Sequence, residues 1–248
     1  MKVDTIHIAI RDKDISICAT NIKELSLQTF ALIRAVMEYE YLNNNFSIFH
    51  AGAIEINNKG WIITGKRGCG KTSTILGLIK EKAIFIANDR VFIGTNINKI
   101  IAVPRPGVMR IGMGTALQHN EISSMVPKKY KKIPAEQLFD YHLPKINISF
   151  LPEIMKCRYK SHTIIEGIIF PQICKKFILR DLDNKTSKKL LNDSILNDFP
   201  GLLMGNLLFG PYPMNHNFVL SSLSEYGTKF IEFGSNLYKY LYNALVIR

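Results

Sequence analysis

The stretch Gly65-Lys66-Arg67-Gly68-Cys69-Gly70-Lys71-Thr72 fits the pattern G-x-x-x-x-G-K-[ST] at every fixed position. Each residue type has a physical task at this spacing. Glycines admit positive φ and let the backbone come close to a ligand. Successive N–H groups can then point inward as an anion-binding nest. A helix opening at Lys71 adds the positive end of its dipole. Lys71 is expected to reach the β- and γ-phosphates, and Thr72 to place its hydroxyl on Mg²⁺. The four fixed positions arise by chance in roughly one chain in 100 of ordinary length, so the flanks matter. Trp61-Ile62-Ile63-Thr64 reads as a strand and residues 71–80 as a helix, which is the setting a phosphate loop requires. The loop implies a nucleoside triphosphate. Gly65, Lys66, Arg67, Gly68, Cys69, Gly70, Lys71, Thr72 and Ser73 are its candidate contacts. The alternative is a glycine-rich turn without a ligand.

Upstream, residues 49–56 read as a strand and Asn57-Asn58-Lys59-Gly60 as a hairpin turn. Downstream, residues 83–86 form an apolar strand that ends at Asn88-Asp89. Asp89 is then positioned for Mg²⁺, directly or through water, or for the proton of an attacking hydroxyl. A plain surface-turn aspartate is the competing reading. His50 stands beside Ala51, Gly52 and Ala53, small residues that leave room for a ligand. An imidazole suits proton transfer or a phosphate contact, although a lone histidine is more often structural.

Three runs taken together narrow the field. They are Phe49-His50-Ala51-Gly52-Ala53-Ile54-Glu55-Ile56, then Gly60-Trp61-Ile62-Ile63-Thr64-Gly65 with its loop, then Ala87-Asn88-Asp89-Arg90-Val91. In order and spacing they resemble the HPr kinase/phosphorylase family, whose core is related to the nucleotide domain of phosphoenolpyruvate carboxykinase. The resemblance is strong over residues 46–94 and weaker over 104–117, and residues 164–171 look like a later core strand of that group. It implies ATP and Mg²⁺ as cofactors and phosphoryl transfer to a serine of a small carrier protein, or to other hydroxyls in shorter relatives. Carried over by position, His50 matches the histidine near the reacting phosphate. Gly65, Gly70, Lys71 and Thr72 match the loop, and Asp89 matches the second acid of an Asp-Asp pair. Asn88 occupies the first acid's position. An amide can orient a hydroxyl or ligate a metal, but it takes no proton at neutral pH. His50, Lys71 and Asp89 are thus the catalytic candidates, and Thr72 and Asp89 the metal ligands.

The rest of the chain is less telling. Residues 3–19 read as two strands about the polar turn Arg11-Asp12-Lys13-Asp14, and residues 22–42 as an amphipathic helix. Strands are expected at 91–93, 99–103, 164–170 (bounded by Pro171), 218–220 and 229–233. Helices are expected from Met113, over 190–208 and over 236–247. The fold class is α/β: a phosphate-loop core with a twisted mixed sheet over residues 46–248, and a small lead-in subdomain over residues 1–45.

Of 248 residues, 47% are apolar and 21% charged, as in ordinary globular proteins. No run reaches the roughly 18 apolar residues that would cross a membrane. The N-terminus lacks the pattern of a signal peptide. Cys18, Cys69, Cys157 and Cys174 show no CxxC spacing, which argues against zinc and a disulfide framework and for a reducing cytoplasm. The net charge of +12 fits an acidic partner, or simply a lysine-rich composition, since lysines are spread along the chain. The dense cluster Lys128-Lys129-Tyr130-Lys131-Lys132 reads as an exposed loop between Pro127 and Pro134 that could hold an acidic acceptor.

The leading expectation is a kinase acting on a peptide or small-protein hydroxyl. A small-metabolite kinase and a nucleotide-gated regulatory protein without transfer are the alternatives. Nucleic-acid processing rests on charge alone. A homo-oligomer is expected only by resemblance.

Overall fold

In a computed structural model of the chain, residues 6–11, 14–134, 137–139, 142–173, 178–196, 216–223, 227–233 and 238–246 are described. They fall into two units. One comprises Met1–Asn44 with Asn197–Met214, the other Asn45–Leu196 with Asn215–Arg248.

In the first unit, β1 (Ile6–Arg11) and β2 (Asp14–Ala19) pair antiparallel from Ile6↔Ala19 to Arg11↔Asp14. Helix α1 (Ile22–Asn43) starts where the Asn21 side chain accepts the Glu24 N–H at 2.8 Å. That cap satisfies one of the donors a helix start leaves open.

The second unit is built around a nine-stranded sheet. The 49–56 strand expected from sequence is in fact two: β3 (Ser47–Phe49) and β4 (Ala51–Ile56), broken at His50. The break arises because the two pieces pair with different partners, β3 with the strand Val91–Asn96 and β4 with the strands Lys59–Thr64 and Ile84–Ala87. Strand β5 (Lys59–Thr64) returns from β4 through Asn57 and Asn58, whose φ of 50° and 61° make the tight turn that suits twisted strands. Helix α2 (Lys71–Lys80) follows, then β6 (Ile84–Ala87). The hairpin β7 (Val91–Asn96) and β8 (Lys99–Pro104) comes next. Outside this sheet, β9 (Met109–Gly112) runs into α3 (Met113–Leu117) and pairs antiparallel with β10 (Lys145–Ile148). The short helices α4 (Asn120–Ser123) and α5 (Leu151–Met155) complete this region, which the sequence pattern alone leaves unresolved.

Three expectations are corrected in the remainder. Strand β11 (Thr163–Ile173) is not bounded by Pro171 but runs through it. Its last β5 partner is Ile169, so at Pro171 only β13 lies alongside, and a missing N–H is tolerated at such a sheet edge. Of the helix expected over 190–208, residues 190–192 close α6 (Asn184–Asn192), 193–196 are not helical, and residues 197–208 lie outside the described set. The strand expected at 218–220 is part of helix α7 (His216–Leu223). A three-residue apolar run does not distinguish strand from buried helix. Val219 and Leu223, one helical turn apart, are both buried in the core. Strand β13 (Gly227–Phe233) and helix α8 (Tyr238–Val246) follow the remaining pattern, and β12 (Ile178–Asp181) is a strand that no sequence expectation covers.

Period-two alternation sorts the sheet residues onto two faces. Ile54, Ile56, Trp61 and Ile63 join one core with Ile75, Leu76 and Ile79 of α2 and Leu241 and Leu245 of α8. Ala51, Ala53, Ile62 and Ile86 join the other with Leu191 of α6 and Val219 and Leu223 of α7. Helices thus cover both faces of a mixed sheet, the α/β arrangement expected. Two close approaches seat α2. Gly52 lies under Ile75, and Gly77 lies against the Tyr238 ring.

Candidate functional site

Strand directions bring the candidate residues to one edge. β4 is antiparallel to both β5 and β6, so β5 and β6 point the same way. The ends of β5 and β6 therefore emerge beside the start of β4. Gly65 follows β5, Asn88 and Asp89 follow β6, and His50 precedes β4. Three segments distant in sequence meet there because of sheet topology alone.

The loop itself is built on left-handed glycines. Gly65, Gly68 and Gly70 have φ of 137°, 82° and 104°. A Cβ at any of them would be strained. Around Gly68 nothing lies within 4 Å of where a Cβ would stand, so that part of the loop faces open space. The Lys71 ammonium donates to the Gly65 carbonyl at 2.8 Å and the Lys66 carbonyl at 3.1 Å, folded over the loop. Burial lowers the Lys71 pKa from its ordinary value, with the nearby Lys145 adding a smaller push in the same direction. Lys66 and Arg67 are exposed, and Cys69 is half-buried with its thiol pKa raised by burial. Ser73 differs from its neighbours: its buried hydroxyl shares a hydrogen bond with Thr115 of α3 at 3.1 Å, tying α3 to the first turn of α2.

His50 Nε2 lies 3.3 Å from Asp89 Oδ1. The main chain of His50 is held from both sides. Its N–H donates to the Ser194 carbonyl at 2.7 Å, and its carbonyl accepts the Thr64 hydroxyl at 3.1 Å. Asp89 takes φ of 72°, unusual for a residue with a side chain. Strain of this kind collects at functional sites. The hydrogen bond from His50 holds the Asp89 carboxyl down to about 2, with Arg90 and Arg110 contributing in the same direction. Asp89 is therefore a carboxylate across the physiological range.

Asn88 faces Thr72. Its Oδ1 lies 3.5 Å from the Thr72 hydroxyl, a long contact. Thr72, Asn88 and Asp89 offer hydroxyl, amide and carboxylate oxygens. Such hard donors suit Mg²⁺, which takes few protein ligands and completes its octahedron with water and phosphate oxygens. Among the described residues no group of three or more His, Cys, Asp or Glu gathers as a metal cage. The donor set thus fits a nucleotide-borne Mg²⁺ rather than a dedicated protein metal site.

Three contributors carry no sequence signal. Ser194, whose hydroxyl accepts from Thr64 at 2.8 Å across 130 residues of sequence, braces the His50 corner. Arg110 and Lys145 act electrostatically on Asp89 and Lys71 from two short strands outside the main sheet. The lysines of the 128–132 cluster are exposed, with Tyr130–Lys132 forming a 3₁₀ turn. Cys18, Cys69 and Cys157 are free thiols, and Cys174 lies outside the described residues. No helix among the described residues is long and apolar enough to cross a membrane.

No protein-family profile matches the chain. Two curated relatives do. An HPr kinase/phosphorylase of Mycoplasma mycoides subsp. mycoides SC is 40% identical over 57 residues, covering 23% of this chain and 18% of the relative. An HPr kinase/phosphorylase of Malacoplasma penetrans is 34% identical over 91 residues, covering 36% of this chain and 28% of the relative. The chain thus spans under a third of the length of either. A solved structure, the HPr(Ser) kinase/phosphatase from Coxiella burnetii, aligns over 80% of this chain and 93% of its own, at 13% identity. Its TM-score of 0.39 is too low to carry an argument. The resemblance to HPr kinase/phosphorylases is therefore present in sequence over part of the chain.

Proposed function

We propose that this protein is an ATP- and Mg²⁺-dependent kinase that transfers the γ-phosphoryl group to a hydroxyl, serine on a peptide or small protein being the acceptor of choice. One observation carries the reading: the His50–Asp89 pair stands at the same sheet edge as the Lys71–Thr72 helix start. A site that only held nucleotide would need the second without the first. The partial likeness to HPr kinase/phosphorylases supports it.

In this reading the loop N–H groups and Lys71 bind the β- and γ-phosphates and offset charge as the phosphoryl moves. Thr72 and Asp89 hold Mg²⁺, which neutralises phosphate charge when bound. As the acceptor oxygen bonds to the γ-phosphorus, the bond to the β-phosphate oxygen breaks and ADP leaves. The hydroxyl proton passes to the His50–Asp89 pair. A carboxyl held to about 2 is a weak base, so His50 is the proton-accepting member and Asp89 its orienting partner. Residues 1–45 are taken as a lead-in subdomain rather than part of this chemistry.

Asn88 favours a second reading, a nucleotide-gated regulator that transfers nothing, because an amide replaces an acid beside Thr72. Incubation with Mg²⁺ and γ-labelled ATP, with candidate peptides and small proteins, separates the two. Label on an acceptor hydroxyl, absent with Lys71→Ala, supports the kinase. Nucleotide binding with no labelled product on any acceptor favours the regulator.

A further inference from the structure

The β9–β10 ribbon is sided. Met109, Ile111, Ile146 and Ile148 are buried in the core, while Arg110, Lys145 and Asn147 are exposed. In the register Arg110 pairs with Asn147 and Lys145 with Gly112, so the two cations and the amide share the outward face. No acid lies on either strand. Among the described residues neither Arg110 nor Lys145 is in an ion pair. The ribbon's place is set by α3, which β9 enters directly and which Thr115 fastens to Ser73 of α2. Its charges accordingly reach the site, Arg110 acting on Asp89 and Lys145 on Lys71. Asp89 is already engaged by His50. Arg110 thus shares the Asp89 carboxylate with His50, and neither ribbon cation has an ion-pair partner of its own among the described residues.

We propose that the outward face of β9–β10 is the docking surface for the acceptor, and that the acceptor is a peptide segment with acidic residues flanking its hydroxyl. This rests on the kinase reading above and names its substrate class. The phosphate loop, Lys71 and Mg²⁺ already answer the charge of the triphosphate, so the ribbon cations face a second anion. An extended peptide fits a two-stranded ribbon, whose outer edges pair with no other strand among the described residues. A nucleic acid fits less well, because the face has no aromatic side chain for base stacking.

The test is fluorescence anisotropy with a labelled peptide carrying two glutamates on each side of one serine, against its glutamine counterpart. Both are titrated into the protein with and without a non-hydrolysable ATP analogue. Fluorescent-ATP affinity is measured in parallel. The acidic peptide should bind about tenfold tighter, the combined effect of two exposed charge pairs. Arg110→Gln with Lys145→Gln should erase that preference, so that the two peptides bind within about threefold of each other. Arg110→Glu with Lys145→Glu should reverse it toward a lysine-flanked peptide, a gain that misfolding would not produce. Lys128→Gln with Lys129→Gln should change nothing.

Equal binding of the two peptides overturns the proposal. So does loss of preference in the Lys128/Lys129 variant alone, tighter binding of a pentathymidine, or loss of nucleotide affinity in place of peptide preference. If the unaltered protein binds no nucleotide, the kinase reading fails, and peptide discrimination still decides the surface by itself.

Discussion

Replacing Gly52 by alanine tests whether the seat of α2 determines the phosphate loop. A Cβ at Gly52 would stand 2.1 Å from Ile75 Cδ1 and 3.0 Å from the Ala87 carbonyl oxygen, against 3.4–4 Å for ordinary contact. The carbonyl belongs to the end of β6 and has little freedom to retreat. Relief must come from Ile75, which is fully buried in α2. Either its side chain leaves its rotamer or the helix lifts. Overpacking of this kind costs about 1–3 kcal/mol. For a chain of this size that lowers the melting temperature by roughly 2–4 °C per kcal/mol. If the helix lifts, Lys71 and Thr72 move with it and nucleotide affinity falls as well. Ile75→Val removes Cδ1 and leaves the next contact, Cγ1, at 3.3 Å. Alone it should cost about 0.5–1.5 kcal/mol. Combined with Gly52→Ala it should cost less than the two separately, with a coupling of about 1 kcal/mol. Urea melts of the four proteins give the cycle, and fluorescent-ATP titration reports the loop. The reasoning is refuted if Gly52→Ala costs nothing, or costs as much in the Ile75→Val background as in the parent.

Other perturbations follow from the same geometry. His50→Ala removes the main cause of the depressed Asp89 carboxyl, so its titration by carboxyl-carbon NMR should rise from about 2 toward the ordinary ~3.9. A depressed carboxyl stabilises the fold above its unfolded pKa, and that contribution disappears as pH falls through the folded value. The parent should therefore lose more stability than His50→Ala between about pH 4 and pH 2. Lys71→Met should weaken ATP binding about 100-fold, the size of a lost charged hydrogen bond, while the melting temperature changes little. Ser73→Ala or Thr115→Val each strands one hydroxyl of a buried pair and should cost about 1–3 kcal/mol in urea melts, with the double variant costing less than their sum.

The contiguous parts of the site are legible because local chemistry specifies them. The loop, with α2 at Lys71–Lys80, follows from glycine spacing and a strand–helix flank. The Asn57-Asn58 turn and the strand ending at Asn88-Asp89 are equally plain. What escapes is what topology decides. His50 lies on an apparently continuous strand, and only the separate pairing of β3 with β7 shows why the chain breaks there. Ser194 and Thr115 are ordinary polar residues until the fold sets them against Thr64 and Ser73. Arg110 and Lys145 are exposed cations on four-residue strands far apart in sequence, with no motif to mark them. Helix α7 reads as a strand because Phe218, Val219 and Leu220 carry too short a pattern to show its period.

The same topology limits what Asn88 takes away. On the proposed reading the site has a metal side, where Thr72 and the loop stand, and a proton side at His50, with Asp89 serving both. Asn88 Oδ1 lies toward the Thr72 hydroxyl. Exchanging an acid for an amide at that point removes a negative charge from the metal side but keeps an oxygen there. Mg²⁺ still has hydroxyl, amide and carboxylate oxygens within its usual chemistry, held with less charge. The proton side loses nothing on this reading, because its carboxylate is Asp89, its imidazole meets that carboxylate, and the His50 main chain is held by Thr64 and Ser194. A lost acid on the metal side weakens cation binding, whereas a lost base would stop transfer. Under the proposed kinase reading, Asn88 should make phosphoryl transfer more dependent on Mg²⁺ concentration without abolishing it.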